Sequence, residues 1–112
     1  MNEKDLQTQI HRFLGGQKNI RLFRNQVGTY KLQDGRVVSS GLAKGSADLI
    51  GWKTVEVTPD MVGQKLAVFT SVEIKTPTGR VSPEQSNWLK QVSDGGGISL
   101  IARSVEEAKQ IV

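Results

Sequence analysis

A chain of 112 residues and 12.3 kDa, 37% hydrophobic and 23% charged, has the size of one compact domain able to bury a core. The absence of cysteine excludes a disulfide scaffold, a thiol nucleophile and thiolate zinc sites, and the single histidine, His11, excludes the His pair of a zinc hydrolase. Any enzymatic chemistry therefore falls to carboxylates, lysine and a hard metal ion, and the net charge of +4 bears on the partner: residues 1–56 carry nine basic and five acidic side chains, residues 57–112 six of each, so the excess forms a basic sector suited to a polyanion such as nucleic acid.

Leu6, Ile10, Phe13 and Leu14 recur at helical spacing behind a possible Asn2 cap, which predicts a helix over about residues 3–14, ended by Gly15-Gly16. Ile20 to Arg24 reads as a strand, Gly28 to Arg36 as a turn-rich connection with an Asp34-Gly35 turn, and Val37-Val38 as a strand fragment. A further strand is expected from Ala47 to Val57, broken at Gly51, and the longest from Lys65 to Lys75. In that last strand Leu66, Val68, Val72 and Ile74 share one face, while Phe69, Glu73 and Lys75 share the other. Ser82-Pro83-Glu84-Gln85 is a capping box with proline at the first helical position, predicting a helix from Pro83 to about Ser93 that packs through Trp88, Leu89 and Val92. Gly95-Gly96-Gly97 closes it, Ile98 to Ala102 is a buried strand, and Ser104 caps a last helix through Ala108 and Ile111. The pattern is that of a single α/β domain, residues 1–112, with a mixed central sheet flanked by helices. No run approaches the roughly 20 apolar residues of a membrane span, and the N-terminal residues lead into no signal-like stretch, so a cytoplasmic protein without membrane association is expected.

The residues with most chemical content are Asp48, in Gly45-Ser-Ala-Asp-Leu-Ile-Gly51, and Glu73-Ile74-Lys75. Period-two geometry puts Glu73 and Lys75 on one strand face, and an antiparallel neighbour ending at Asp48 would bring a second carboxylate beside them. Paired carboxylates require a compensating cation, and oxygen ligands suit Mg²⁺ or Mn²⁺. Such an ion activates water and screens phosphate charge, while Lys75 holds or deprotonates the water and neutralises the developing negative charge. A Glu-x-Lys triplet alone is common on exposed strands; its combination with Asp48 in a basic, cysteine-free chain gives it weight.

Asp48 with Glu73-x-Lys75 resembles the core of the PD-(D/E)xK nuclease superfamily. The segments Arg24-Asn25-Gln26-Val27-Gly28, Gly45 to Gly51, Glu73 to Arg80 and Ser82-Pro83-Glu84-Gln85 resemble its VRR-Nuc branch, the virus-type replication-repair nucleases. The likeness runs from Glu3 to the last helix; Ala47 replaces the superfamily's proline before the aspartate, a position without a ligand role.

The resemblance implies a restriction-endonuclease-like core and a metal-dependent phosphodiesterase acting on DNA. For a stand-alone member of this size it implies a structure-selective endonuclease that resolves four-way junctions as a homodimer, of phage or bacterial origin, acting in recombination or genome processing. By position, Asp48 and Glu73 are metal ligands, the Ile74 carbonyl is a third, and Lys75 is the catalytic lysine. Glu3 matches a helix glutamate that holds metal-bound water, and Gln85 a helix glutamine near the lysine and the substrate phosphate; each also has a purely local role, as a first-turn acid and as the capping-box glutamine. Arg24, Asn25, Lys44 and Arg80 flank the motifs as candidate DNA contacts, while Trp52, Trp88 and His11 read as structural. The competing readings are a monomeric nickase on flaps or splayed ends, and a non-catalytic nucleic-acid-binding module with a nuclease-like fold.

Overall fold

Helix α1 (Glu3–Gly15) starts where Asn2 Oδ1 accepts the Asp5 N–H at 2.8 Å, and Glu3 and Asp5 in its first turn and Arg12 in its last complement the helix dipole. The computed structural model describes residues 2–112 and divides into two compact units, the first ending at Lys53 and the second spanning Thr54–Val112.

In the first unit, α1 lies along β1 (Ile20–Arg24), where His11 donates from Nε2 to the Leu22 carbonyl at 2.9 Å. That bond gives His11 the structural role expected of it. β1 pairs antiparallel with β4 (Leu49–Lys53), with Arg24 opposite Leu49 and Leu22 opposite Gly51. Gly51 does not break the strand; a Cβ there would collide with the Arg21 carbonyl, so glycine permits the close pairing. Phe23 and Trp52 stack obliquely, ring centroids 5.7 Å apart. The region 28–36, expected to be mostly turn, instead supplies β2 (Gly28–Lys31), which forms an antiparallel hairpin with β3 (Val37–Ser40). Its loop is closed by the Gly35 N–H on the Leu32 carbonyl at 3.0 Å and by Asp34, which accepts the Arg36 N–H at 3.0 Å.

The second unit opens with a connection containing one 3₁₀ turn (Pro59–Met61) and then forms β5 (Thr70–Ile74), α2 (Pro83–Asp94) and β6 (Ile98–Ala102). β5 is shorter than the expected Lys65–Lys75 because its length is set by its partner: β6 cannot begin before the glycines that end α2, and the ladder runs from Thr70 opposite Ile98 to Ile74 opposite Ala102. The helix between them returns the chain to the same end, so the strands are parallel, a βαβ unit. Ser82 Oγ accepts the Gln85 N–H at 3.1 Å and Gln85 Oε1 accepts the Ser82 N–H at 3.0 Å, completing the expected capping box. At the other end Gly96 (φ +96°) is left-handed, the Gly96 N–H meets the Ser93 carbonyl at 3.0 Å, and the Gly97 N–H meets the Val92 carbonyl at 2.9 Å. These are the two bonds of a Schellman motif. Among the described residues Leu89, Val92 and Ala102 are the buried apolar side chains, with Val92 only 1% exposed. Trp88 packs edge-on to Phe69 (centroids 6.3 Å) and donates to Ser71 Oγ at 2.6 Å, so α2 covers the Phe69/Ser71 face of β5. The last helix, α3 (Val105–Ala108), is capped by Ser104, which accepts the Glu107 N–H at 3.2 Å, and a 3₁₀ turn (Lys109–Ile111) follows it.

The expectation of a mixed central sheet is therefore corrected. Among the described residues the strands form three separate two-stranded sheets, two antiparallel and one parallel. The strand after Asp48 takes β1 as its neighbour, and the strand carrying Glu73 takes β6, because each pairing is fixed locally: the first by the bonds around Asn25 described below, the second by the α2 crossover.

Candidate active site

The first unit holds Asp48, Glu3, Arg24, Asn25 and Lys44. Asp48 ends the loop that follows β3, one residue before β4, and its carbonyl accepts the Asn25 backbone N–H at 2.8 Å, extending the β1–β4 ladder by one step. The Asn25 side chain fixes the rest of that loop. Its Nδ2 donates to Ser46 Oγ at 2.7 Å and to the Ala47 carbonyl at 2.8 Å, and its Oδ1 accepts the Leu42 N–H at 2.9 Å. Gly41 (φ +77°) turns the chain into the loop, at a point where a Cβ would strike the Gln26 carbonyl. Both amide hydrogens of Asn25 are thus engaged within the loop, and the residue acts as the splint of the Asp48 loop.

Glu3 and Asp48 line one cavity of about 410 Å³, together with Leu6, Gln7, Ile10, Ala47 and Leu49. The helical spacing of 3, 6, 7 and 10 turns this face of α1 to the cavity. A second, more open cleft of about 460 Å³ is lined by Thr8, His11, Arg12, Gly15, Gly16 and Arg24. Arg24 is oriented there by a 3.1 Å bond from Nη2 to Thr8 Oγ1. Arg12 is one of the basic residues of the first half, whereas Thr8 drew no notice in the sequence, although their i, i+4 spacing puts them on one helix face. Lys44 is exposed on the Asp48 loop.

The second unit holds Glu73, Ile74, Lys75, Arg80 and Gln85. Glu73 and Lys75 share the half-buried face of β5 with Ser71, whereas Ile74 points outward and is 79% exposed. The Lys75 N–H continues the parallel ladder onto the Ala102 carbonyl at 3.1 Å, so the whole triplet is registered against β6. Gln85 uses its side-chain oxygen in the capping box, as its local role requires. Arg80 is exposed just beyond the turn that follows Lys75. Sequence reasoning overlooked Arg103. It follows β6 and its guanidinium Nη1 donates to the carbonyls of Thr76 and Gly79, each at 2.7 Å; the only signal was its place directly after the strand paired with the motif strand.

The donor chemistry fits a hard divalent ion. Oxygen ligands predominate, no cysteine competes, and Mg²⁺ binds through one or two carboxylates while retaining waters. Glu3 and Asp48 are the two carboxylates that line the first unit's cavity. Among the described residues no group of three or more His, Cys, Asp or Glu side chains stands together.

The VRR-NUC domain family model matches residues 3–106, a span that includes every one of these candidates. The chain belongs to the VRR-NUC family. It therefore carries a nuclease-type domain. No curated relative and no solved structure matches the chain. No helix among the described residues is long and apolar enough to cross a membrane.

Proposed function

We propose that this VRR-NUC protein is a metal-dependent, structure-selective DNA endonuclease that hydrolyses phosphodiester bonds in four-way junctions. The observation that carries the reading is the family match over residues 3–106, which encloses Asp48 and the Glu73-Ile74-Lys75 triplet. In this reading Asp48, Glu73 and the Ile74 carbonyl would hold Mg²⁺ or Mn²⁺, and Glu3 would act through water. When bound, the ion supplies Lewis-acid stabilisation of the charge that develops on the phosphate. Lys75 holds the attacking water and offsets negative charge in the transition state. Gln85 orients the phosphate beside Lys75. Asn25 keeps Asp48 in place, and Arg24, Lys44 and Arg80 bind the DNA backbone, which fixes register without reading sequence.

One such set per chain hydrolyses one bond at a time, so paired cuts in a junction call for two chains. A two-fold symmetric homodimer would set equivalent sites on strands of matching polarity, since a four-way junction has approximate two-fold symmetry. The test is incubation of labelled duplex, flap, splayed and four-way DNA with the protein in Mg²⁺, Mn²⁺, Ca²⁺ or excess chelator. Paired cuts in the four-way substrate with Mg²⁺ or Mn²⁺, and none with chelator, are expected. Mixing the protein with excess Lys75→Ala chains should convert resolution into single nicks. Cleavage confined to flaps or splayed ends by a protein that light scattering finds monomeric would replace the resolvase with a nickase. Binding without cleavage of any substrate would leave a non-catalytic module.

A further inference from the structure

We propose that Arg103 is a positioning residue for the Glu73-Ile74-Lys75 segment, acting as a clamp on the turn that follows it. The inference rests on the active-site reading above and adds to it a residue outside the motifs. After Lys75 the chain leaves the β5–β6 ladder and turns over Thr76-Pro77-Thr78-Gly79, closed by the Gly79 N–H on the Thr76 carbonyl at 3.1 Å. Pro77 takes the second position of this turn, where its fixed φ is favourable, and Thr78 has no positive φ, as a type I turn requires. A turn of this kind at the end of a short strand is held only by its own bond unless something outside it takes the outward-facing carbonyls.

Arg103 does so. Its Nη1 donates to Thr76 O and to Gly79 O, each at 2.7 Å, with Pro77 O at 3.4 Å, so one cationic nitrogen gathers the carbonyls of the turn. Charge-assisted bonds of this length are among the stronger ones. The arginine is itself fixed: its backbone N–H donates to Glu107 Oε2 at 2.8 Å, and the Glu107 N–H donates to Ser104 Oγ at 3.2 Å at the start of α3. The residue before it, Ala102, is buried, lies opposite Ile74 and accepts the Lys75 N–H at 3.1 Å. The backbone from Thr70 to Gly79 is thus tied to β6 and the residue that follows it, first through the ladder and then through the guanidinium. The last tie begins one residue beyond Lys75, where a loose turn would let the lysine and the Ile74 carbonyl drift from their working positions.

The test compares single-turnover cleavage of four-way DNA in Mg²⁺ with DNA binding in Ca²⁺ and hydrogen exchange at the Gly79 amide, for Arg103→Met, Arg103→Lys and Glu73→Ala. Methionine keeps an apolar stem and removes the donors. The cleavage rate of Arg103→Met should fall by about 100-fold, the size expected when a reacting group is misplaced by about 1 Å, with binding unchanged and Gly79 exchange accelerated. Arg103→Lys should recover most of the loss, within about 10-fold of the parent, because one ammonium nitrogen can meet the same carbonyls. A parental rate for Arg103→Met beside an inactive Glu73→Ala would overturn the clamp and leave the active-site reading standing. A near-parental rate for Glu73→Ala would overturn both. If Arg103→Met does not fold, Arg103→Lys decides: a slowed rate with parental thermal stability supports the clamp, and slowing only in proportion to lost stability overturns it.

Discussion

The two units of this small protein are ordered by different means. In the second unit the buried side chains Leu89, Val92 and Ala102 join one helix to a parallel pair, and the strand that carries Glu73 inherits its position from that core. In the first unit large apolar side chains of α1 remain well exposed, Phe13 at 69%, and the Asp48 loop is located by hydrogen bonds that converge on Asn25. Packing gives free energy without direction, whereas hydrogen bonds give direction for a modest net free energy. A carboxylate proposed to act from a loop needs direction; a strand proposed to carry chemistry on one face needs a support on that face. The same chain uses each device where it is suited.

Unfolding measurements on single variants separate the two. Leu89→Ala should cost about 2–5 kcal/mol in urea denaturation, because it opens a cavity under α2. Phe13→Ala should change stability by no more than about 0.5 kcal/mol, and a loss equal to that of Leu89→Ala would erase the contrast. Asn25→Ala comes next: losing its bonds to Leu42 and Ala47, whose freed groups water can reach, should cost about 0.5–1.5 kcal/mol, and cleavage should fall by more than that destabilisation explains. If Asn25→Ala retains parental turnover, the loop does not depend on its splint.

Ser82→Ala should cost about 1 kcal/mol through loss of the capping-box acceptor, an effect visible as a small drop in melting temperature. Arg24→Ala or Lys44→Ala should leave stability within about 0.5 kcal/mol. Each should instead flatten the plot of log affinity against log salt by about one unit per lost phosphate contact. An unchanged slope in both would remove these residues from the DNA interface.

The sequence was most legible where local chemistry decides structure. Asn2, Ser82-Pro83 and Gln85 announce helix starts through side chains that reach only three residues, and Ile98 to Ala102 stands as a strand between a glycine stop and a serine cap. Strand partnership was not legible. The antiparallel neighbour expected for Glu73 was assigned from spacing alone, whereas the register of β4 depends on Asn25, 23 residues before Asp48 in the chain, and that of β5 on the length of β6. Asp48, Glu73 and Lys75 stood out as a pattern of types and separations. Arg103 did not, because its value lies in three carbonyls that no side-chain pattern reveals.

The proposed function gives Asp48 of the first unit and Glu73 and Lys75 of the second a part in phosphodiester hydrolysis. The decisive measurement is single-turnover cleavage of labelled four-way DNA in Mn²⁺ by Asp48→Ala and Glu73→Ala, each verified as folded by circular dichroism and as DNA-binding in Ca²⁺. Both rates should fall by at least about a thousandfold, because each variant loses a group that acts mainly in the transition state, and binding should be as tight as the parent's or tighter once a negative charge beside phosphate is gone. Near-parental cleavage by either folded variant would contradict the account.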